Sequence, residues 1–208
     1  MLKGDLAGRL RIFDRAGHRI SAYRTYFRIA RVNQDLFHKC KQTRVVREAN
    51  VGEDELAEVF ETIEHLTEQQ WQAAMTAVTF AGMTLEAFSY DYAADSLGDQ
   101  YVQDHLDKLD LPSKYLVYPK LVCGTAPKKG EHTFGLVRNL ARLRNDLVHA
   151  KSKVFPLARL ETAAEHYDDY HARLAKGTDD AIERVLAVMR ELDNLHGTES
   201  FEKHMLAY

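Results

Sequence analysis

The chain has 208 residues, of which 45% are hydrophobic and 28% are charged, and its formal net charge at pH 7 is −3. These values suit a single globular domain over residues 1–208 and exclude a strongly basic protein dedicated to binding nucleic acid. The longest mostly apolar window, residues 73–85, is shorter than the roughly 20 residues that cross a membrane, so we expect a cytoplasmic protein with no membrane partner.

Apolar residues at helical spacing predict helices along the first half of the chain. The stripe of a first helix comprises Ile20, Tyr23, Phe27, Ala30, Phe37 and Cys40, and that of a shorter acidic helix comprises Leu56, Phe60 and Ile63. Thr67 and Gln70 form a capping-box pattern, which predicts the start of a long central helix that ends near Gly98. The apolar stripe of this helix comprises Trp71, Met75, Val78, Leu85, Phe88 and Tyr92.

Shorter elements are predicted after the central helix. Segments 101–109 and 113–122 are separated at Pro112, and a loop over residues 124–131 leads into a helix that begins near His132. The next helix is predicted to open at Pro156 and to bear Leu157, Leu160, Ala164, Tyr167 and Leu174. The last helix is predicted to be capped by Thr178, to bear Ile182, Val185, Met189 and Leu192, and to end at Gly197. No run shows the period of a strand, so the predicted fold class is an all-α helical bundle.

The run HTFGLVRNLARLRNDLVHAKSK, residues 132–153, carries the side chains most suited to chemistry. Its leucines recur at helical spacing and predict a stripe that faces the core: Leu136, Leu140, Leu143 and Leu147. On the same helical wheel, the side chains that point away from the core are those of Arg138, Arg142, Asn145 and His149. Arg144 flanks the stripe. Asn145 and His149 stand one turn apart, which predicts a hydrogen bond that orients the imidazole.

The charges are segregated along the chain. Residues 1–48 hold 12 Lys and Arg against 4 Asp and Glu, whereas residues 49–111 hold 1 against 14. Residues 112–153 hold 9 against 2, and residues 154–208 hold 6 against 11. The basic segment around the motif, with Lys151 and Lys153 beside it, could steer a polyanion towards it. Pairing of acidic with basic helices inside the bundle explains the same pattern equally well.

The six residues Arg144-Asn145-Asp146-Leu147-Val148-His149 resemble the motif of HEPN domains, in which an arginine is followed at once by a polar residue and then by a histidine. In that motif four to six residues lie between the arginine and the histidine, and here there are four. The upstream order is also similar to that family, with EAFSYDYAADSLG and LDKLDLPSKYLVYPKL before the motif. Together these pieces cover residues 86–153, a third of the chain. The resemblance implies a HEPN-like bundle over about residues 67–195 with extra N- and C-terminal helices, and we expect residues 1–16 to be flexible.

The resemblance implies a homodimer in which two motifs face one cleft. It further implies a metal-independent endoribonuclease without a cofactor, of the kind found among toxins and defence effectors, with RNA as substrate and a cognate antitoxin or regulatory protein as partner. The catalytic residues would be Arg144, Asn145 and His149, with His149 moving the proton and Arg144 stabilising the phosphate. Arg138, Arg142, Lys151 and Lys153 would bind the substrate.

Three other interpretations remain open at this point. An asparagine and a histidine near a helix end often serve only as surface polar groups. A non-catalytic helical module could use the same side chains to bind RNA or a nucleotide, or to hold a dimer together. Asp168 and His171 are spaced to share a metal, although a solvated helix face is the favoured interpretation of that segment.

Cys40 and Cys123 are too few for a disulfide framework, so we expect free thiols.

Overall fold

A computed structural model describes residues 21–49, 56–149 and 160–207 of the chain, and these residues form eight α-helices and no strand. The prediction of an all-α protein is therefore confirmed. The helices are α1 (Tyr23–Ala49), α2 (Leu56–Leu97), α3 (Asp99–His105), α4 (Leu111–Cys123), α5 (His132–Val148), α6 (Leu160–Asp179), α7 (Ala181–His196) and α8 (Ser200–Leu206).

The 42-residue helix α2 lies at the centre and packs against α1 and against α3 to α7. Its buried face is built largely of alanines, which let neighbouring helices approach closely: Ala73, Ala74, Ala77 and Ala81. The helix α1 runs antiparallel to it, because the ring of Tyr23 meets that of Phe88 whereas the ring of Phe37 meets that of Trp71. The predicted stripe of α1 is buried over Tyr23, Phe27, Ala30, Phe37 and Cys40, while Ile20 lies outside the described residues.

The capping box predicted at Thr67 is wrong. Its hydroxyl donates to the backbone oxygen of Ile63 at 2.7 Å, a bond made inside a helix, and α2 runs without a break from Leu56. The segment before Thr67 contains no proline or glycine that would end a helix, so α2 continues through it. The predicted core positions Phe60 and Met75 are 72% and 38% exposed, respectively, because they line an open groove between α2 and α6.

The ends of several helices follow local chemistry. The side chain of Asp110 caps α4 by accepting a hydrogen bond from the backbone nitrogen of Ser113 at 2.8 Å, and Pro112 lies in the first turn of that helix. Hydrogen bonds from the side chain and then from the backbone of Ser113 lower the pKa of Asp110. The glycines at the ends of α4 and α7, Gly124 and Gly197, adopt left-handed conformations with φ of 79° and 66°.

The C-terminal helices correct two further predictions. Thr178 does not cap α7, because it is buried in α6 and donates to the backbone oxygen of Leu174 at 2.8 Å. Asp180 holds the cap position of α7. Tyr167 is 61% exposed and does not belong to the core, whereas Leu174 and the predicted α7 residues Val185, Met189 and Leu192 are buried. Pro156 and Leu157 lie outside the described residues.

Two further predictions concern the cysteines and membrane-spanning segments. Cys40 is buried and Cys123 half-buried, and both are free thiols as predicted. Among the helices of the described ranges, none combines the length and the apolar character needed to cross a bilayer.

Candidate functional site

The site predicted from the motif lies at the C-terminal end of α5. Leu140 of this helix is fully buried and Val137 nearly so, while Leu136, Leu143 and Leu147 are half-buried. The helix ends at Val148, and the backbone nitrogen of His149 donates to the backbone oxygen of Asn145 at 2.9 Å. The core stripe thus fixes which side of α5 the polar residues occupy.

The opposite face of α5 is exposed and basic. Arg138, Arg142, Asn145 and His149 are all exposed, as the helical wheel predicts. Arg138 and Arg142 form no ion pair within the described residues, so their guanidinium groups are available to an anion. Lys151 and Lys153, the other predicted substrate-binding residues, lie outside the described ranges.

Of the three predicted catalytic residues, Arg144 is the one whose side chain is held by another helix of the described bundle. Its Nη2 lies 2.5 Å from Oε2 of Glu86 on α2, and its Nη1 donates to Oδ1 of Asn145 at 2.7 Å. The side chain is only 19% exposed. The guanidinium is therefore oriented by partners on two helices, and it keeps further N–H groups that can donate to a ligand.

Gly82 makes room for this arrangement. A Cβ atom at Gly82 would lie 3.1 Å from Cγ and 3.2 Å from Cβ of Arg144. Gly82 precedes Glu86 by one helical turn, so the stem of Arg144 crosses α2 over the glycine and its charged end reaches the carboxylate. The sequence alone did not reveal Glu86 as a partner. The available signal was that α2 contains no Lys or Arg, so its carboxylates must find cations elsewhere or face water.

The predicted side-chain bond between Asn145 and His149 is not formed in the described residues. The amide oxygen of Asn145 accepts from Arg144, since a charged donor on the neighbouring residue offers the stronger bond. His149 has φ −109° and ψ 26° at the end of α5, which also departs from the regular helix that would align the two side chains. Its imidazole is exposed to solvent and to any second chain.

The charge near the motif is not uniformly positive. Asp146 is exposed on α5, and its carboxylate adds to burial in raising the pKa of Tyr170 on α6. The Glu86–Arg144 pair and the Lys114–Asp107 pair, 3.2 Å apart, both join the acidic segment 49–111 to the basic segment 112–153. Part of the charge segregation is therefore used for pairing inside the bundle.

The described residues contain no group of three or more His, Cys, Asp and Glu side chains placed to hold a metal ion. In the segment considered for a metal, the ring of His171 stacks on that of Trp71, with centroids 4.1 Å apart and an interplanar angle of 13°. What the motif region offers is an oriented guanidinium, an exposed imidazole and two further arginines. Comparisons with protein-family models, with curated proteins and with solved structures found no match.

Proposed function

We propose that this chain is a metal-independent endoribonuclease of the HEPN type that works as a homodimer. The observation that carries the proposal is the pairing of a fixed cation with a free proton carrier on one helix. Arg144 is held by Glu86 and Asn145, and His149 is exposed five residues, or about 1.4 helical turns, further along. Cleavage of RNA at a phosphodiester needs both functions.

The proposed chemistry uses the 2′-hydroxyl of the RNA as nucleophile. His149 accepts the proton of this hydroxyl, the 2′-oxygen attacks the adjacent phosphorus, and the bond to the 5′-oxygen breaks. The leaving 5′-oxygen takes up a proton, which His149 of the second copy can supply. Arg144 stabilises the charge that develops on the phosphate oxygens. The products are a 2′,3′-cyclic phosphate and a 5′-hydroxyl, and DNA is not a substrate because it lacks the nucleophile.

The proposed dimer follows from the same exposed face. Arg138, Arg142, Asn145 and His149 point away from the core of their own chain, and an active site open to bulk water on every side would lose much of its electrostatic effect. A two-fold axis near this face brings two copies of the motif together across one cleft. Arg138 and Arg142 would then line the approach of the RNA backbone.

The test is cleavage of single-stranded RNA by the purified protein in EDTA, followed by analysis of the product ends. We expect 2′,3′-cyclic phosphates, no cleavage of DNA of the same sequence, and loss of cleavage in His149→Ala. The matched control is His132→Ala, since His132 is also exposed but lies at the other end of α5. Arg144→Lys should retain little activity because an ammonium lacks the guanidinium fork.

Two results would contradict the proposal. Cleavage that persists in His149→Ala would assign the activity to another group or to a contaminant. Sedimentation showing only monomer at about tens of micromolar, in the presence of cleavage, would remove the shared cleft from the mechanism.

A second function is favoured by one contact. Both Nη atoms of Arg144 already have protein partners, and such an arginine suits a module that binds RNA or a nucleotide without cutting it. This alternative predicts that the protein binds single-stranded RNA, leaves it intact across many sequences, and loses affinity in Arg138→Ala and Arg142→Ala more than in His149→Ala.

A further inference from the structure

A groove between the first half of α2 and α6 shares no lining residue with the motif. Its volume is about 630 Å³, and its lining residues are Phe60, Ile63, Glu64, Thr67, Glu68, Trp71, Gln72 and Met75 from α2, with Tyr167 and His171 from α6. Two of its aromatic side chains are more than half exposed, Phe60 at 72% and Tyr167 at 61%. Leaving two large aromatic groups in water is unfavourable, so this surface is suited to contact with another molecule.

The floor of the groove is a stack of rings. His171 lies parallel to Trp71, and Tyr167 meets the edge of His171 with centroids 3.9 Å apart. Partial burial lowers the pKa of His171, which keeps the ring neutral near pH 7. The floor is therefore apolar and uncharged, and its rings are fixed against one another before any ligand arrives.

The rim of the groove carries charge of one sign. The lining residues from α2 include two glutamates and no Lys or Arg: Glu64 and Glu68. On α6, Asp168 and Asp169 follow the lining residue Tyr167, and Asp169 pairs with Arg173 at 3.2 Å. Glu64 forms no ion pair within the described residues, and Glu68 accepts a hydrogen bond only from the neutral Gln72 at 3.0 Å. An occupant of this groove must bring apolar surface and positive charge together.

The dimensions of the groove indicate the form of that occupant. The lining residues of α2 recur every three or four positions from Phe60 to Met75, which corresponds to about 22 Å along the helix axis. A groove of this length between two helices accepts a third helix of about four turns, with apolar anchors at i, i+4, i+7 and i+11. The acidic rim repels phosphate, which disfavours RNA and distinguishes this surface from the basic face of α5.

We propose that this groove, the α2–α6 groove, binds a basic amphipathic helix of a partner protein. The apolar side of the partner helix packs on Trp71, Phe60 and Tyr167, and its Lys or Arg side chains face Glu64 and Glu68. This inference does not depend on the proposed ribonuclease function, because the groove shares no residue with the motif.

The test uses a display library of 16-residue peptides with apolar residues fixed at four helical positions and Lys, Glu, Ser or Ala allowed at the flanking positions. Selection on the full-length protein should enrich Lys at the flanks. Binding of the selected peptide is then measured by the fluorescence of Trp71, which is the only tryptophan of the chain and lies in the groove. We expect the emission of Trp71 to change and saturate on titration.

Three variants locate the binding surface. Glu64→Lys should weaken binding by about tenfold or more, because an attraction becomes a repulsion. Phe60→Ala should weaken it through lost contact, and since this side chain is largely exposed the variant should fold normally. Asp104→Lys is the matched control for charge, since Asp104 is exposed on α3 outside the groove, and it should leave the affinity unchanged.

Several outcomes would overturn the proposal. Two results would show that charge complementarity does not contribute to binding. One is a selection without a preference for basic flanks, and the other is a peptide that binds Glu64→Lys as tightly as it binds the unmodified protein. Single-stranded RNA that competes with the peptide would assign the groove to nucleic acid. A dimer that dissociates in Phe60→Ala would assign it to a second copy. If the emission of Trp71 in Phe155→Ala differed from that of the unmodified protein in the absence of peptide, the groove would be assigned to residues 150–159 of the same chain.

Discussion

Arg144 and Glu86 join α5 to α2 through a contact of 2.5 Å between Nη2 and Oε2, with side chains that are 19% and 37% exposed. The pair is partly shielded from water, so it should contribute more than a fully exposed ion pair. We expect a double-mutant cycle with Arg144→Gln and Glu86→Gln to give a coupling energy of about 1 kcal/mol in the free energy of unfolding. The measurement is urea denaturation of the four proteins. The same cycle on the exposed pair Lys203 and Glu199 is the control and should give less, whereas coupling near zero for Arg144 and Glu86 would show that the contact does not fix the guanidinium.

Gly177 of α6 packs against Leu143 of α5. A Cβ atom at this position would overlap the Cδ2 methyl of Leu143, whereas the next nearest atoms lie 3.6 Å or more away, so Gly177→Ala should force the half-buried side chain of Leu143 into another conformation. We expect a loss of about 0.5 to 1.5 kcal/mol in the free energy of unfolding from the displaced leucine side chain, despite the better helix propensity of alanine. Gly135→Ala in α5 is the matched control, because nothing lies within 4 Å of its Cβ position. That variant should be as stable as the unmodified protein or slightly more stable. Equal losses of stability at both glycines would show that the backbone conformation, and not the contact with Leu143, causes the destabilisation.

The two sides of α5 should respond differently to truncation. Leu140→Ala should lower the free energy of unfolding by about 2 to 5 kcal/mol, because the side chain is fully buried. Leu147→Ala should cost less, since this leucine is half-buried. His149→Ala should change stability by no more than about 0.5 kcal/mol. Thermal or chemical unfolding of the three variants measures this order, and a large loss in His149→Ala would show that the imidazole is needed for folding.

The stability of the protein should fall as the pH decreases below neutrality, and His196 should contribute to that fall. Burial lowers the pKa of His196, whose Nε2 lies 2.6 Å from the hydroxyl of Tyr92. The unfolded chain therefore takes up a proton below about pH 6.5 while the folded chain keeps the ring neutral, so the free energy of unfolding decreases from that pH down to the folded-state pKa. His171 and His204 act in the same direction because burial lowers their pKa values too.

His196→Gln should reduce this pH dependence, since glutamine can still accept a hydrogen bond from Tyr92 but does not titrate. The experiment compares urea denaturation of both proteins at about pH 7.5 and about pH 5.5, a range that spans the ordinary titration of histidine. His132→Gln, at an exposed position, serves as the control and should leave the pH dependence unchanged. If the free energy of unfolding changed equally with pH in His196→Gln and in the unmodified protein, His196 would be protonated equally in the folded and unfolded states.

The helices were predictable because their signals are local. The spacing of Val185, Met189 and Leu192 indicates one buried face of α7, and Gly197 ends that helix in the left-handed conformation that glycine allows. The exposure of Arg142 and His149 follows from the same wheel that buries Leu140. Each of these features depends only on residues within a few turns of one another.

The features that were missed depend on residues far apart in the chain. The capping box at Thr67 is a valid local signal, but the unbroken packing of α2 against α1 outweighs it and the helix continues. Glu86 and Arg144 are 58 positions apart, and no periodicity links them. Tyr167 fits the apolar spacing of α6, yet it lies beside Trp71 in an open groove rather than in the core.

The central position of α2 also governs how the molecule opens. Each of the helices α1 and α3 to α7 packs directly on α2, so detaching one of the longer helices uncovers part of the core around α2. The amides of α2 around Ala77, Val78 and Ala81, whose side chains are fully buried, should therefore exchange with deuterium only when the entire bundle unfolds. The short helix α3 and the last turn of α8 should exchange much sooner, through local openings that leave α2 in place.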